Sequence, residues 1–298
     1  MSRPATFTPP PCARPRPLDT ARGAFAVLDA APTGSPRGTV LLLPGYTGSK
    51  EDFVSLLEPL AAAGYRAIAV DGRGQYETPG PAEPDPTAYA QRELARDVLA
   101  QAAAVRADDE GSPATPLHLL GHSLGGQIAR AALLLDPAPF ASLTLMSSGP
   151  AEVAPLQREK LKLLGDALAV MSMDRVWDAI QAMEPPAPED TATAAAPRDD
   201  ADDLRRRWLL GDPAQLVATG RQLATEPDRV DELAAVPLPK HVLSGERDDT
   251  WAVPLLDAMA ERLGAHRTVV AGAEHSPNTD RPAETARALL AFWDSLPR

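Results

Sequence analysis

Three well-separated segments of the 298-residue sequence carry groups suited to acyl transfer. Gly121-His122-Ser123-Leu124-Gly125 fits G-x-S-x-G, a pattern in which serine occupies a tight turn between a strand and a helix. Ser244-Gly245-Glu246-Arg247-Asp248-Asp249 holds two adjacent aspartates, and Ala273-Glu274-His275-Ser276-Pro277 holds a histidine. A serine hydroxyl is a weak nucleophile without a base, and a histidine base needs a carboxylate to orient it. The segments supply these groups in the chain order Ser, Asp, His.

The pentapeptide pattern is common, so its surroundings decide its meaning. Pro116-Leu117-His118-Leu119-Leu120 precedes it as an apolar β-type run, and Leu124 to Leu135 follows as an apolar helical pattern containing a further glycine, Gly126. Free N–H groups and the positive end of that helix dipole then face the serine hydroxyl, making the Leu124 N–H a candidate oxyanion donor. His122 is expected to pack, because the turn directs it away from the hydroxyl. His118 and His122 stand four apart but straddle a strand and a turn. They do not form the helical pair that binds zinc, and no metal is expected.

Positioning these groups requires a particular architecture. Strand patterns at 21–29, 39–43, 66–70, 116–120, 142–146, 240–244 and 268–270 alternate with helical patterns at 49–63, 87–106, 124–135, 254–263 and 282–296, with Thr87 as an N-cap. Repeated βα units with apolar strands predict an α/β fold, a mostly parallel, doubly wound sheet covered by helices on both faces. Strand C-termini in such a sheet face one side, where the three segments can converge. Between 150 and 236 the pattern is helical without a convincing strand, which reads as an insertion dividing the core into 21–149 and 237–298. Within it, Arg198 to Arg207 reads as a solvated helix start, and Trp177 and Trp208 are expected to pack between helices. Trp251 either reaches the site or anchors the aspartate loop. Residues 1–20, rich in Pro and Arg, read as a flexible arm.

On these residues the sequence resembles the α/β-hydrolase superfamily, over roughly Gly23 to Leu296. The resemblance implies a triad of Ser123, His275 and Asp248, the acid falling in the G-x-x-D loop Gly245 to Asp248, with Asp249 as the alternative acid. It also implies a second oxyanion donor in Leu43-Pro44-Gly45-Tyr46-Thr47-Gly48, where Pro44 replaces the family's histidine and the Tyr46 N–H follows the glycine. Asp71-Gly72-Arg73-Gly74-Gln75-Tyr76 is similar to the family's D-x-R-G-x-G segment, but Gln75-Tyr76 departs from its small residues. Serine at the turn distinguishes the chain from the superfamily's epoxide hydrolases and dehalogenases, which carry aspartate there.

The resemblance thus implies a cofactor-free serine hydrolase acting on a small-molecule acyl substrate: a carboxylic ester, thioester or lactone. The 150–236 insertion would form a helical lid. Alternatives sharing the triad are an acyltransferase or thioesterase of a biosynthetic pathway, a C–C bond hydrolase and a peptidase. A non-catalytic relative binding a small ligand is the alternative from a different class.

Composition narrows the partners. With 29 Lys+Arg against 41 Asp+Glu, the net charge of −12 disfavours nucleic acid and anionic membrane, both of which require basic patches. The single cysteine, Cys12, permits no internal disulfide, which suits a reducing cytoplasm. The first twenty residues lack the apolar stretch of a secretory signal, and no run of apolar residues is long enough to span a membrane.

Overall fold

Alternate residues of the central strands are apolar on both sides, so the sheet must be covered twice. The protein is described from a computed structural model covering residues 3–83, 85–108, 115–183 and 198–297. Its strands are β1 (Ala13–Thr20), β2 (Gly23–Ala30), β3 (Gly38–Leu43), β4 (Tyr65–Val70), β5 (Leu117–His122), β6 (Ser142–Met146), β7 (Lys240–Gly245) and β8 (His266–Val270). They form one sheet in the order β1-β2-β4-β3-β5-β6-β7-β8, antiparallel through β1, β2 and β4 and parallel from β4 to β8.

Helices α1 (Val54–Ala62) and α11 (Pro282–Asp294) cover one face; α2 (Gln91–Asp108), α3 (Leu124–Leu135) and α9 (Val253–Leu263) cover the other. The strand pleat sorts the core between them. Val40 and Leu42 of β3 join Leu56, Leu57 and Leu60 of α1 and Leu289 of α11, whereas Leu41 and Leu43 join Val98 of α2 and Leu133 of α3. Between β6 and β7 lie α4 (Pro155–Leu168), α5 (Met173–Met183), α6 (Arg198–Leu210), α7 (Pro213–Thr225) and α8 (Val230–Ala234). The short α10 (Pro277–Asp280) completes the helices named here. Among the described residues no helix is long and apolar enough to cross a membrane.

Three expectations are corrected. Residues 13–20 of the expected arm form β1, whose register sets Pro15 opposite Leu28 and Pro17 opposite Ala26. Proline lacks an N–H for the ladder and is tolerated on an edge strand such as this one. The cap near residue 87 is Asp85, whose carboxylate accepts the Thr87 N–H at 2.9 Å and starts a 3₁₀ turn, Pro86–Tyr89, before α2. Arg207 is not solvated: it is buried and donates to Asp52 Oδ1 at 2.9 Å, tying α6 to the core. Trp177 and Trp208 pack together with Val176, Leu204 and Leu216, ring centroids 6.5 Å apart, as a small core belonging to the insertion.

Candidate active site

Each chemically competent residue follows the C-terminal end of a parallel strand. Tyr46 lies just beyond β3, Ser123 directly follows β5, Asp248 follows β7 and His275 follows β8. Ser123 has φ 53° and ψ −117°, a left-handed conformation that is costly for a residue with a side chain, by about 1–3 kcal/mol. It persists because both flanks are fixed. The Ser123 N–H donates to the Met146 carbonyl at 2.9 Å, and the Ser123 carbonyl accepts the Gly126 N–H at 2.9 Å. Close approach supplies the rest: a Cβ on Gly125 would strike the Leu43 and Pro44 carbonyl oxygens, so glycine lets the end of β3 press against the start of α3.

The three separated segments meet here. Ser123 Oγ and His275 Nε2 are 3.1 Å apart, and His275 Nδ1 lies 2.9 Å from Asp248 Oδ2 and 3.0 Å from Oδ1. A carboxylate facing Nδ1 favours the tautomer in which Nδ1–H donates to Asp248 and Nε2 accepts the serine proton. The Asp248 side chain is fully buried, and Oδ1 also accepts the Thr250 and Trp251 N–H groups at 2.8 and 3.1 Å. Asp249 is exposed, and its Oδ2 instead accepts Gln157 Nε2 of α4 at 2.7 Å. Of the two aspartates, Asp248 is the one that reaches the histidine.

The backbone beside Ser123 offers hydrogen-bond donors. Among the described residues neither the Leu124 N–H nor the Tyr46 N–H has an acceptor. Gly45, immediately before Tyr46, approaches Ser123 so closely that a Cβ there would sit 3.2 Å from the serine Cβ. The Tyr46 hydroxyl donates to the Leu216 carbonyl of α7 at 2.9 Å and lies against Gly220, so its ring ties the β3 loop to the insertion. Burial raises the Tyr46 phenol well above its ordinary pKa, leaving it neutral.

Two buried rings support these groups. His122 is buried; its Nε2–H donates to the His275 carbonyl at 2.9 Å, steadying the backbone that carries the His275 ring. Burial, aided by the neighbouring His275, pushes the His122 pKa down to about 4, so it is neutral near pH 7. Trp251 combines the two roles considered for it. Its Nε1–H donates to the Ala151 and Glu152 carbonyls at 3.0 and 3.2 Å, and its ring lies 6.2 Å from that of His275. His118, the other histidine of the i, i+4 pair, places Nδ1 2.8 Å from Ser142 Oγ. Among the described residues no cluster of His, Cys, Asp and Glu has the form of a metal site.

A mostly parallel eight-stranded sheet, with a strained serine turn after β5, defines an α/β-hydrolase fold. Residues 40–288 match the alpha/beta hydrolase family, and the chain belongs to it. It is 32% identical over 230 residues, 75% of this chain and 74% of the relative, to a 2-hydroxy-6-oxononadienedioate/2-hydroxy-6-oxononatrienedioate hydrolase of Cupriavidus pinatubonensis. A pimeloyl-[acyl-carrier protein] methyl ester esterase of Aeromonas hydrophila is 31% identical over 182 residues, 59% of this chain and 69% of the relative. Among solved structures, a thermophilic esterase from Thermogutta terrifontis superposes with a TM-score of 0.71, at 20% identity, covering 95% of this chain and 98% of the esterase.

Proposed function

We propose that the chain is a serine hydrolase that cleaves a carboxylic ester, thioester or lactone through an acyl-enzyme. The observation that carries this reading is the continuous hydrogen-bond path from Asp248 through His275 to Ser123. Ser123 Oγ attacks the acyl carbon while His275 Nε2 takes its proton; His275 then returns the proton to the leaving alcohol or thiol. Asp248 holds the tautomer and stabilises the imidazolium. The Tyr46 and Leu124 N–H groups hold the charge that develops on the carbonyl oxygen. Water, activated by the same histidine, releases the acid and restores the serine.

In this reading helices α4 to α7 act as a lid that shapes the acyl pocket and limits water. Support comes from the Tyr46 hydroxyl, which couples the loop of an oxyanion donor to Leu216 of α7. A second reading, C–C bond hydrolysis, draws on the Cupriavidus relative, whose name describes such a dienedioate substrate.

The test is turnover of p-nitrophenyl esters from C2 to C12, and of a 2-hydroxy-6-oxo-dienedioate, with fluorophosphonate labelling alongside. Ser123→Ala and His275→Ala are expected to lower kcat by about 10⁵-fold or more, and Asp248→Asn by about 10⁴-fold. Asp249→Asn is expected to stay within about twofold, because Asp249 is exposed and bonded away from the histidine. Equal losses in the two aspartate variants would sink the assignment of the acid. Wild-type protein that neither turns over any ester nor becomes labelled would sink the hydrolase mechanism. Preference for the dienedioate over every ester would favour the second reading.

A further inference from the structure

Gln75, at the variable position just before Tyr76 in the D-x-R-G-x-G-like segment, is buried between the loops that follow β3 and β4. Its Nε2–H donates to the Gly45 carbonyl at 2.9 Å, while its Oε1 accepts the Gly72 N–H at 3.0 Å. These partners fix the amide orientation, since a donor must face the carbonyl and an acceptor must face the N–H. The Gln75 backbone is held as well: its N–H donates to the Gly72 carbonyl at 2.9 Å, and its carbonyl accepts the Thr78 N–H at 2.9 Å. The side chain is a rigid bridge from one loop to the other.

The acceptor it grips belongs to the Gly45–Tyr46 peptide. In a planar trans peptide the C=O and N–H point in opposite directions, so fixing one aims the other. With the Gly45 carbonyl turned to Gln75, the Tyr46 N–H is directed away from Gln75. Ser123 stands beside Gly45, a Cβ on which would lie 3.2 Å from the serine Cβ. We propose that Gln75 is a positioning residue that aims the Tyr46 N–H at the oxyanion of the acyl-transfer transition state, without touching substrate. The proposal rests on the serine-hydrolase reading above. Aiming matters because a donor fixed in advance requires no reorganisation when charge appears.

Loss of an entire oxyanion donor lowers kcat about 10²- to 10³-fold. The Gly45 carbonyl keeps one tether without Gln75, the Gly48 N–H at 3.1 Å, so removing the amide should misaim the donor rather than abolish it. A loss of about 10-fold or more is expected, smaller than that for a missing donor.

The experiment compares the full-length wild type with Gln75→Met, Gln75→Glu and Ser123→Ala. Its readouts are the rate of Ser123 labelling by a fluorophosphonate, whose phosphoryl oxygen enters the same donors, kcat and KM on an aryl ester, and thermal melting. Gln75→Met should slow labelling and kcat by about 10-fold with KM within about twofold. Gln75→Glu supplies a readout that mere space-filling would not move. Its carboxylate has no proton to give the Gly45 carbonyl, but its protonated form has one. Its rate relative to wild type at the same pH should therefore rise as pH falls, while the Gln75→Met ratio stays flat.

Gln75→Met that labels and turns over like wild type overturns the proposal. So does a Gln75→Glu ratio independent of pH, which remains readable if Gln75→Met fails to fold. Wild type that is not labelled, or Ser123→Ala labelled as fast as wild type, instead overturns the serine-hydrolase reading, and the role of Gln75 falls with it.

Discussion

Two helices of similar length stand in opposite relation to the rest of the molecule. Nine of the twelve residues of α3, which directly follows Ser123, are buried, whereas none of the fourteen residues of α4 in the insertion is. Leu156 and Leu163 of α4 and Val170 just beyond it remain exposed, at a spacing of seven. The helix that follows the serine is buried along most of its surface; α4 has no buried residue. A strained serine turn can persist where packing over-determines it, and ready local opening belongs where few apolar contacts resist it. The tightest packing thus lies beside the serine turn and the loosest along α4.

The contrast is tested most severely at glycines. Gly125→Ala in α3 should destabilise the fold by about 3 kcal/mol, because its Cβ meets backbone carbonyls of Leu43 and Pro44 that cannot swing aside. The same displacement would push the β3 loop, and the Tyr46 N–H with it, away from Ser123, so kcat should fall steeply in whatever protein remains folded. Chemical denaturation and ester turnover measure the two effects. A stable, fully active Gly125→Ala protein would show that the elbow tolerates far more slack than its packing implies.

What was legible in the sequence follows the same division. β3, β5 and β6 each carry a short run of apolar, β-forming residues bounded by turn residues, so their positions are encoded locally, and with β5 the place of Ser123 at a strand end. β1 was obscured because Pro15 and Pro17 alternate with Arg14 and Arg16, a pattern shared by an edge strand and an unstructured arm. Gln75, His122 and Arg207 act through partners 30, 153 and 155 residues distant, which no local pattern discloses. For Gln75 the one signal was its neighbour: Tyr76 stands where the family motif carries its last glycine. Arg207 gave the opposite impression, since a charge run ordinarily marks a solvated surface.

Acid should separate the two regions. All five histidines lie outside the 150–236 insertion. Burial pushes His118 and His122 down to about 4 and His241 to about 3, helped in turn by Arg106, by His275, and by His266 with Arg267. Their folded pKa values lie below the unfolded value near 6.5, so the unfolded chain binds more protons between those limits. Stability is complete above about pH 6.5 and falls as pH drops toward 4, by about 1 kcal/mol or more per histidine at pH 5.5. Urea midpoints at pH 7.5 and 5.5 measure this loss. Limited proteolysis under mild acid should leave cleavage within 150–183 nearly unchanged while core unfolding accelerates. Equal sensitivity of both regions would break the division.

The smallest effect is the most discriminating. Gly165 lies within α4, and a Cβ built there meets nothing within 4 Å. Replacing it by alanine removes backbone freedom from the unfolded chain and adds helix propensity without a clash, so Gly165→Ala should stabilise by about 0.5–1 kcal/mol. The gain should appear chiefly as slower cleavage within α4, as expected if a helix with no buried residue opens without unfolding the sheet. Ester turnover should change by less than about twofold if access needs movement of the whole insertion, not bending within α4. A marked fall in kcat/KM with unchanged labelling of Ser123 would locate the gating motion inside α4. A loss of stability like that expected at Gly125 would mean that α4 is held as tightly as α3, and the contrast between them would fail.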